Sequence, residues 1–245
     1  MKHFEKLILL ILIGNSLFIY SQKKITTQSL FWNRYYLKLR INEQWALGQE
    51  IEERAYWFPW RQHQFLLRTH LEKNLGNNWN TALGFTYFIQ TLPHNPTIKN
   101  TENNTELRPQ IEFGYKQNIT NKLSLHHRYW SEFRFIEQSN HQIEYQNNRS
   151  RYKIEFRYKP TNKLTLKAFE EIFLNFGHNI VHNSFDQNRY GLSFQYMPYK
   201  NFGFEIGYLN WFQERSSGVD YFNRHIIRCT VHHNINLKKI KKWKR

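Results

Sequence analysis

The chain of 245 residues carries a formal net charge of +16 and 18% aromatic residues at a mean hydropathy of −0.75. That aromatic load excludes a disordered basic chain, and the single cysteine, Cys229, excludes a disulfide framework or a cysteine metal site. The basic residues recur at alternate positions along the whole chain instead of massing in one patch, which argues against nucleic acid as the partner.

Residues 1–21, MKHFEKLILLILIGNSLFIYS, open with Lys2 and Lys6, continue through the apolar run Leu7–Ile13 and end in Gly14 and small polar residues. This is the pattern of a secretory signal peptide, with cleavage expected after Ser21. The apolar run is too short to span a bilayer as a helix, and no later stretch approaches the roughly 20 apolar residues that a spanning helix needs.

From residue 22 to 237 one pattern repeats. Segments alternate in period two, the signature of strands with one apolar and one polar face. In 30–41, Phe31, Tyr35, Leu37, Leu39 and Ile41 oppose Arg34, Lys38 and Arg40. Further strands are expected at 44–57, 63–75, 79–92, 107–116, 123–137, 148–159, 164–176, 185–197, 202–214 and 222–237. Short connections carrying Asn or Gly fall near Asn42-Glu43, Gly76-Asn77-Asn78, Thr120-Asn121-Lys122, Thr161-Asn162-Lys163 and Tyr199-Lys200-Asn201. Longer ones are expected at 58–62, 93–106, 138–147, 177–184 and 215–221.

The segment 151–159, RYKIEFRYK, states the physical problem most sharply. Arg151, Lys153, Glu155, Arg157 and Lys159 share one face, and Tyr152, Ile154, Phe156 and Tyr158 the other. A wall with lipid outside and a polar lumen inside satisfies both. On the lipid face a charge at the bilayer midplane costs about 2–4 kcal/mol. The strands are long for a soluble sandwich. The aromatics Trp45, Tyr56, Trp57, Trp79, Tyr115, Trp130, Phe176, Trp211 and Phe212 gather near strand ends, as interfacial girdles would place them. The expected fold is therefore all-β: an antiparallel transmembrane barrel of 10–12 strands, with short periplasmic turns and longer outer loops. The count is eleven, odd where single-chain bacterial barrels are normally even.

Alternation points a set of charges into the lumen: Glu52, Arg54, Arg68, Glu112, Arg128, Glu132, Arg134, Arg149, Arg151, Glu155, Glu171, Arg189 and Arg228. The densest part lies on four consecutive strands, with Glu132 and Arg134, then Arg149 and Arg151, then Glu171, then Arg189, where acids and bases would satisfy one another. Such a network closes a narrow barrel as its polar core, or it forms an anion-favouring constriction. His126, His127, His232 and His233 stand in pairs with one ring inward and one outward, so neither pair chelates a metal. His126 shares a face with Ser124, without an evident acid or oxyanion hole. No catalytic residue, metal site or cofactor is indicated. The tail 238–245, KKIKKWKR, either meets phospholipid headgroups or is solvated.

Several segments carry a resemblance: HHRYWSEFRF (126–135), NRSRYKIEFRY (148–158), KAFEEIFLNF (167–176), FDQNRYGLSFQY (185–196) and GFEIGYLNWF (203–212). An Arg-rich strand with Arg149 and Arg151, a strand with Glu170 and Glu171, and an opening Asp186-Gln187-Asn188-Arg189 resemble the family known as domain of unknown function 2490. The resemblance implies an exported β-barrel in the outer membrane of a Gram-negative bacterium and supplies no activity. The expected role is passive transport or binding of small anionic solutes. The alternatives are a structural barrel shut by its own salt bridges, or a lipid-modifying membrane enzyme. The expected partners are outer-membrane lipids, small anionic solutes and, during insertion, the outer-membrane assembly machinery.

Overall fold

The computed structural model describes residues 23–237; the expected signal segment 1–21 and the basic tail 238–245 lie outside the described residues. Eleven strands follow in chain order: β1 (Lys24–Arg40), β2 (Trp45–Tyr56), β3 (Arg61–Gly76), β4 (Trp79–Leu92), β5 (Glu102–Asn118), β6 (Leu123–Glu137), β7 (Ile143–Tyr158), β8 (Leu164–Phe176), β9 (Phe185–Tyr196), β10 (Phe202–Glu214) and β11 (Asp220–Asn236). Each pairs with its chain neighbours, and β1 pairs with β11, so the sheet closes into a barrel and leaves no edge.

Ten of the seams are antiparallel. The closing seam is parallel, from Lys24↔Asp220 to Arg40↔Asn236. Parity requires this, because eleven strands of alternating direction make the first and last run the same way. Residues 24–29 are not a strand of their own; they form the upper end of β1.

One rim carries the connections 41–44, 77–78, 119–122, 159–163 and 197–201. At the tightest of these, Asn77 and Asn78 both take positive φ (48° and 67°), the pair of left-handed residues that a two-residue hairpin turn demands. The opposite rim carries 57–60, 93–101, 138–142, 177–184 and 215–219. Its connections are shorter than expected at 58–62, 93–106 and 138–147, since β5 starts at Glu102 and β7 at Ile143. The reason is physical: above the lipid both faces of a strand meet water, so Glu102-Asn103-Asn104 pairs with β4 without any alternation to reveal it.

Within the membrane the alternation holds. Tyr152, Phe156 and Tyr158 are exposed on the outer wall while Arg151 and Glu155 are buried inside. The interior of the barrel is the core. Leu30, Trp32, Tyr56, Leu209, Trp211 and Ile226 form one buried cluster inside it, with Phe169 packed against it.

Candidate functional site

The lumen is the candidate site, and the register of the strands builds it. Glu132 on β6 lies opposite Arg149 on β7. It accepts hydrogen bonds from Arg149 at 2.5 Å and Arg151 at 2.8 Å, and its side chain is fully excluded from solvent. Arg149 reaches on to Asp186 at 3.1 Å. Arg128 donates to Glu171 at 2.8 Å and Arg151 at 3.0 Å, and Arg128 lies 3.9 Å from Glu112. Arg134 turns the other way and shares Glu106 with Arg108, at 2.5 and 2.7 Å. Across the lumen Arg54 is held by Glu52 at 2.5 Å and by Gln64 at 2.8 Å, and Arg68 by Glu50 at 3.2 Å. The network therefore crosses most of the barrel at mid-height, and each of these acids holds at least one guanidinium.

Aromatic faces fill what the salt bridges leave. Arg54 lies 3.8 Å over Trp32, Arg151 4.1 Å over Trp130 and 4.3 Å over Phe173, Arg108 3.8 Å over Phe88, and Arg224 4.3 Å over Trp211. A guanidinium is weakly hydrated and stacks on a ring, so these layers hold charge without holding water. Here the structure corrects one expectation. Tyr56, Trp130 and Trp211 are not girdle residues; they are buried in the lumen, whereas Trp57, Trp79 and Phe176 remain exposed near strand ends.

Below this layer the lumen opens. A cavity of about 970 Å³ runs from the short-turn rim, at Asn42, Asn74 and Asn77, up to Trp32, Arg54, Trp130, Arg149, Phe173 and Arg189. Its lining includes none of Leu30, Tyr56, His63, Trp211 or Arg224, so it ends at mid-height. Sixteen Lys and Arg side chains line it against eight Glu. Lower in the cavity the ion pairs are local: Glu72 with Lys38 and His70, Glu155 with Lys153 and with Arg157 at 2.5 Å, and Glu205 with Lys167 at 2.7 Å, His232 at 2.9 Å and Arg228 at 3.8 Å.

Of the charges that alternation points into the lumen, Arg189 alone has no oppositely charged group within ion-pair distance among the described residues; it keeps one hydrogen bond, to Gln187. Several lumen side chains lie outside the charge set expected from sequence. Glu106 falls at the end of the segment expected to be a loop, and Arg108 on the polar face of the expected strand 107–116. Asp186 sits on the outward parity of β9, yet it is the extra residue of a β-bulge, between partners Phe173↔Gln187 and Leu174↔Phe185, and this turns it inward to Arg149. His63 is likewise the extra residue between Arg54↔Gln64 and Ala55↔Gln62, and it is fully buried.

The histidine pairs split as alternation requires. Inward His126 lies 3.0 Å from Ser124, with no carboxylate hydrogen-bonded to its ring among the described residues, and inward His232 meets Glu205. Outward His127 and His233 pair with the hydroxyls of Tyr152 (2.8 Å) and Tyr35 (2.9 Å). Glu170 stands on the outer wall and accepts a hydrogen bond from the Asn188 amide at 2.9 Å, while its neighbour Glu171 points inside.

The closed outer end is lidded by the 93–101 connection. Arg61 donates to the carbonyls of Pro93, Asn95 and Ile98, and the His94 carbonyl accepts from Gln28 at 2.6 Å. The His94 ring packs 5.7 Å from His63 and 5.4 Å from Phe222. Burial first, then Arg224, Arg215 and Arg61, depress its pKa to about 3.

The family model described as "Protein of unknown function (DUF2490)" matches residues 30–223, and the chain belongs to that family. No curated protein matches it. Among solved structures the chain is similar to the NanC porin, with a TM-score of 0.51 and 13% identity over 82% of this chain and 96% of that one. It also matches the KdgM porin in complex with disordered oligogalacturonate, with a TM-score of 0.43 and 15% identity over 72% of this chain and 81% of that one. The likeness to NanC together with the closed barrel and its apolar outer wall makes the fold that of an outer-membrane-type transmembrane β-barrel.

Proposed function

We propose that this member of the family admits small anionic solutes from the short-turn rim, taken as periplasmic, into a blind vestibule, and that the passage beyond is shut at mid-height by the barrel's own salt bridges. The observation that carries the reading is the lining of the cavity: twice as many cationic as anionic side chains around about 970 Å³ that stops at the Trp32–Arg54–Trp130–Arg149 level. A single-sign excess inside low-dielectric walls concentrates counter-ions, and rings of charged side chains set pore selectivity. The likeness to a porin supports the same reading.

A structural barrel that takes no solute is the second reading, favoured by the complete burial of Glu132 and Glu52. Planar-bilayer recording separates the two. The refolded wild-type barrel is expected to pass little current. Replacing Trp211 with Ala should open a steady current whose reversal potential in a salt gradient favours anions. A large resting current in the wild type would overturn the closure, and a cation-selective current in the variant would overturn the anion preference.

A further inference from the structure

Arg189 stands on β9 directly opposite Glu171 in the β8–β9 register. Yet Glu171 spends the same oxygen, Oε1, on Arg128 and Arg151, at 2.8 and 3.0 Å. Arg189 keeps one long hydrogen bond, from Nη2 to Gln187 at 3.4 Å, and its buried Nε has no partner. At the same level Arg54, Arg149 and Arg151 each hold a carboxylate. Three rings hold the Arg189 guanidinium in place: Trp211 at 4.6 Å, Phe173 at 4.7 Å and Trp32 at 5.4 Å. Each of these rings also carries another guanidinium: Arg224 on Trp211, Arg151 and Arg149 on Phe173, and Arg54 on Trp32.

The result is a fixed fork of donors at the inner end of the cavity, with cations on several sides and no carboxylate within ion-pair distance among the described residues. Its rotamer cost is already met by the stacking, so a ligand that pairs with it gains nearly the full charge-assisted interaction. The cavity wall around it is partly apolar, with Phe169, Leu209, Phe173 and Trp32. A free phosphate would leave oxygens facing those groups unsatisfied, whereas a carboxylate on an apolar body would match both.

We infer that Arg189 is the anchor for the carboxylate of a small organic acid that enters the vestibule from the short-turn rim. The inference rests on the vestibule reading above and names the ligand class for it.

Titration calorimetry of the refolded barrel in detergent, at fixed ionic strength, tests it with benzoate, its neutral isostere benzamide, and inorganic phosphate. Benzoate is expected to bind saturably, and benzamide and phosphate at least tenfold more weakly. Arg189→Gln should weaken benzoate at least tenfold, whereas Arg228→Gln, lower in the same cavity, should weaken it less than threefold. Arg189→Lys keeps the charge and loses the fork, and should weaken benzoate severalfold; it is the readout if the Gln variant does not refold. Benzoate binding that both Arg189 variants leave unchanged overturns the assignment alone. Phosphate binding more tightly than benzoate overturns the ligand class. Failure of every anion to bind the wild type overturns the vestibule reading with it.

Discussion

In the half of the lumen nearer the 93–101 connection, inward positions carry Leu30, Trp32, Tyr56, Trp211 and Ile226, and arginines stack between them. In the half nearer the short turns, inward positions include Ala46, Ala82 and Gly84 among lysines, glutamates and histidines, and the space stays open. Both halves obey the same alternation. What differs is the volume at inward positions and the nature of the neighbour: a ring beside a guanidinium excludes water, and an alanine beside an ammonium group admits it. One half is therefore a core built from charges, and the other is a solvent-facing funnel.

The sharpest way to break that contrast is to remove the ring. Trp211→Ala should cost about 3–5 kcal/mol, the range for truncating a large buried aromatic, and should strip cover from both Arg189 and Arg224. Thermal unfolding of the refolded barrel would show it; a loss under about 1 kcal/mol would mean that the outer half is not packed as a core.

Removing a charge in the same half ranks next. Glu132→Gln leaves Arg149 and Arg151 sharing one carboxylate fewer around a fully buried position, where the two arginine side chains are only 7% and 8% exposed. Breaking a buried pair in this way costs about 3 kcal/mol. The refolded barrel should unfold at a lower temperature than the wild type, and by more than any single Glu replacement in the funnel.

The lid of the closed half should respond to acid. His94 is held neutral by burial and by Arg224, Arg215 and Arg61, with its pKa depressed from 6.5 to about 3. A depressed histidine leaves the unfolded chain binding the proton first. Stability should therefore be complete above pH 6.5 and fall as the pH drops toward about 3, with a slope of at most about 1.4 kcal/mol per pH unit from this group. In His94→Gln that part of the acid dependence should vanish. Melting curves for both proteins across this window check it, and parallel acid profiles would show that His94 takes its proton at an ordinary pKa.

The same contrast explains what could be read from sequence. Period-two alternation is imposed by lipid on one face, so strand count and closure are legible wherever lipid is present. It fades above the membrane, which hid the start of β5 and with it Glu106. It inverts at bulges, which hid Asp186 and His63. It is silent about depth, so Trp130 and Trp211 looked like girdle residues. The partner choices of Glu171 were also out of reach, because two guanidiniums from other strands reach it ahead of the arginine directly across from it.

Glu72 offers the smallest expected effect and the closest test of the funnel. Its carboxylate receives Lys38, the His70 ring at 3.1 Å and the Tyr36 hydroxyl at 3.3 Å, as many hydrogen bonds as Glu132 has from Arg149 and Arg151. Hydrogen-bond number alone would rank the two acids together. Solvent separates them: 23% of the Glu72 side chain is exposed against none of Glu132. In contact with water, Lys38 and His70 can be rehydrated when the carboxylate becomes an amide, and the net worth of such a pair falls to about 1 kcal/mol or less. Glu72→Gln should therefore melt within a few degrees of the wild type, and added salt should narrow the difference further. Glu132→Gln should keep its deficit in the same salt. Equal, salt-insensitive losses for the two variants would mean that water does not reach Glu72, and that the cavity below mid-height is not a solvent-filled entrance.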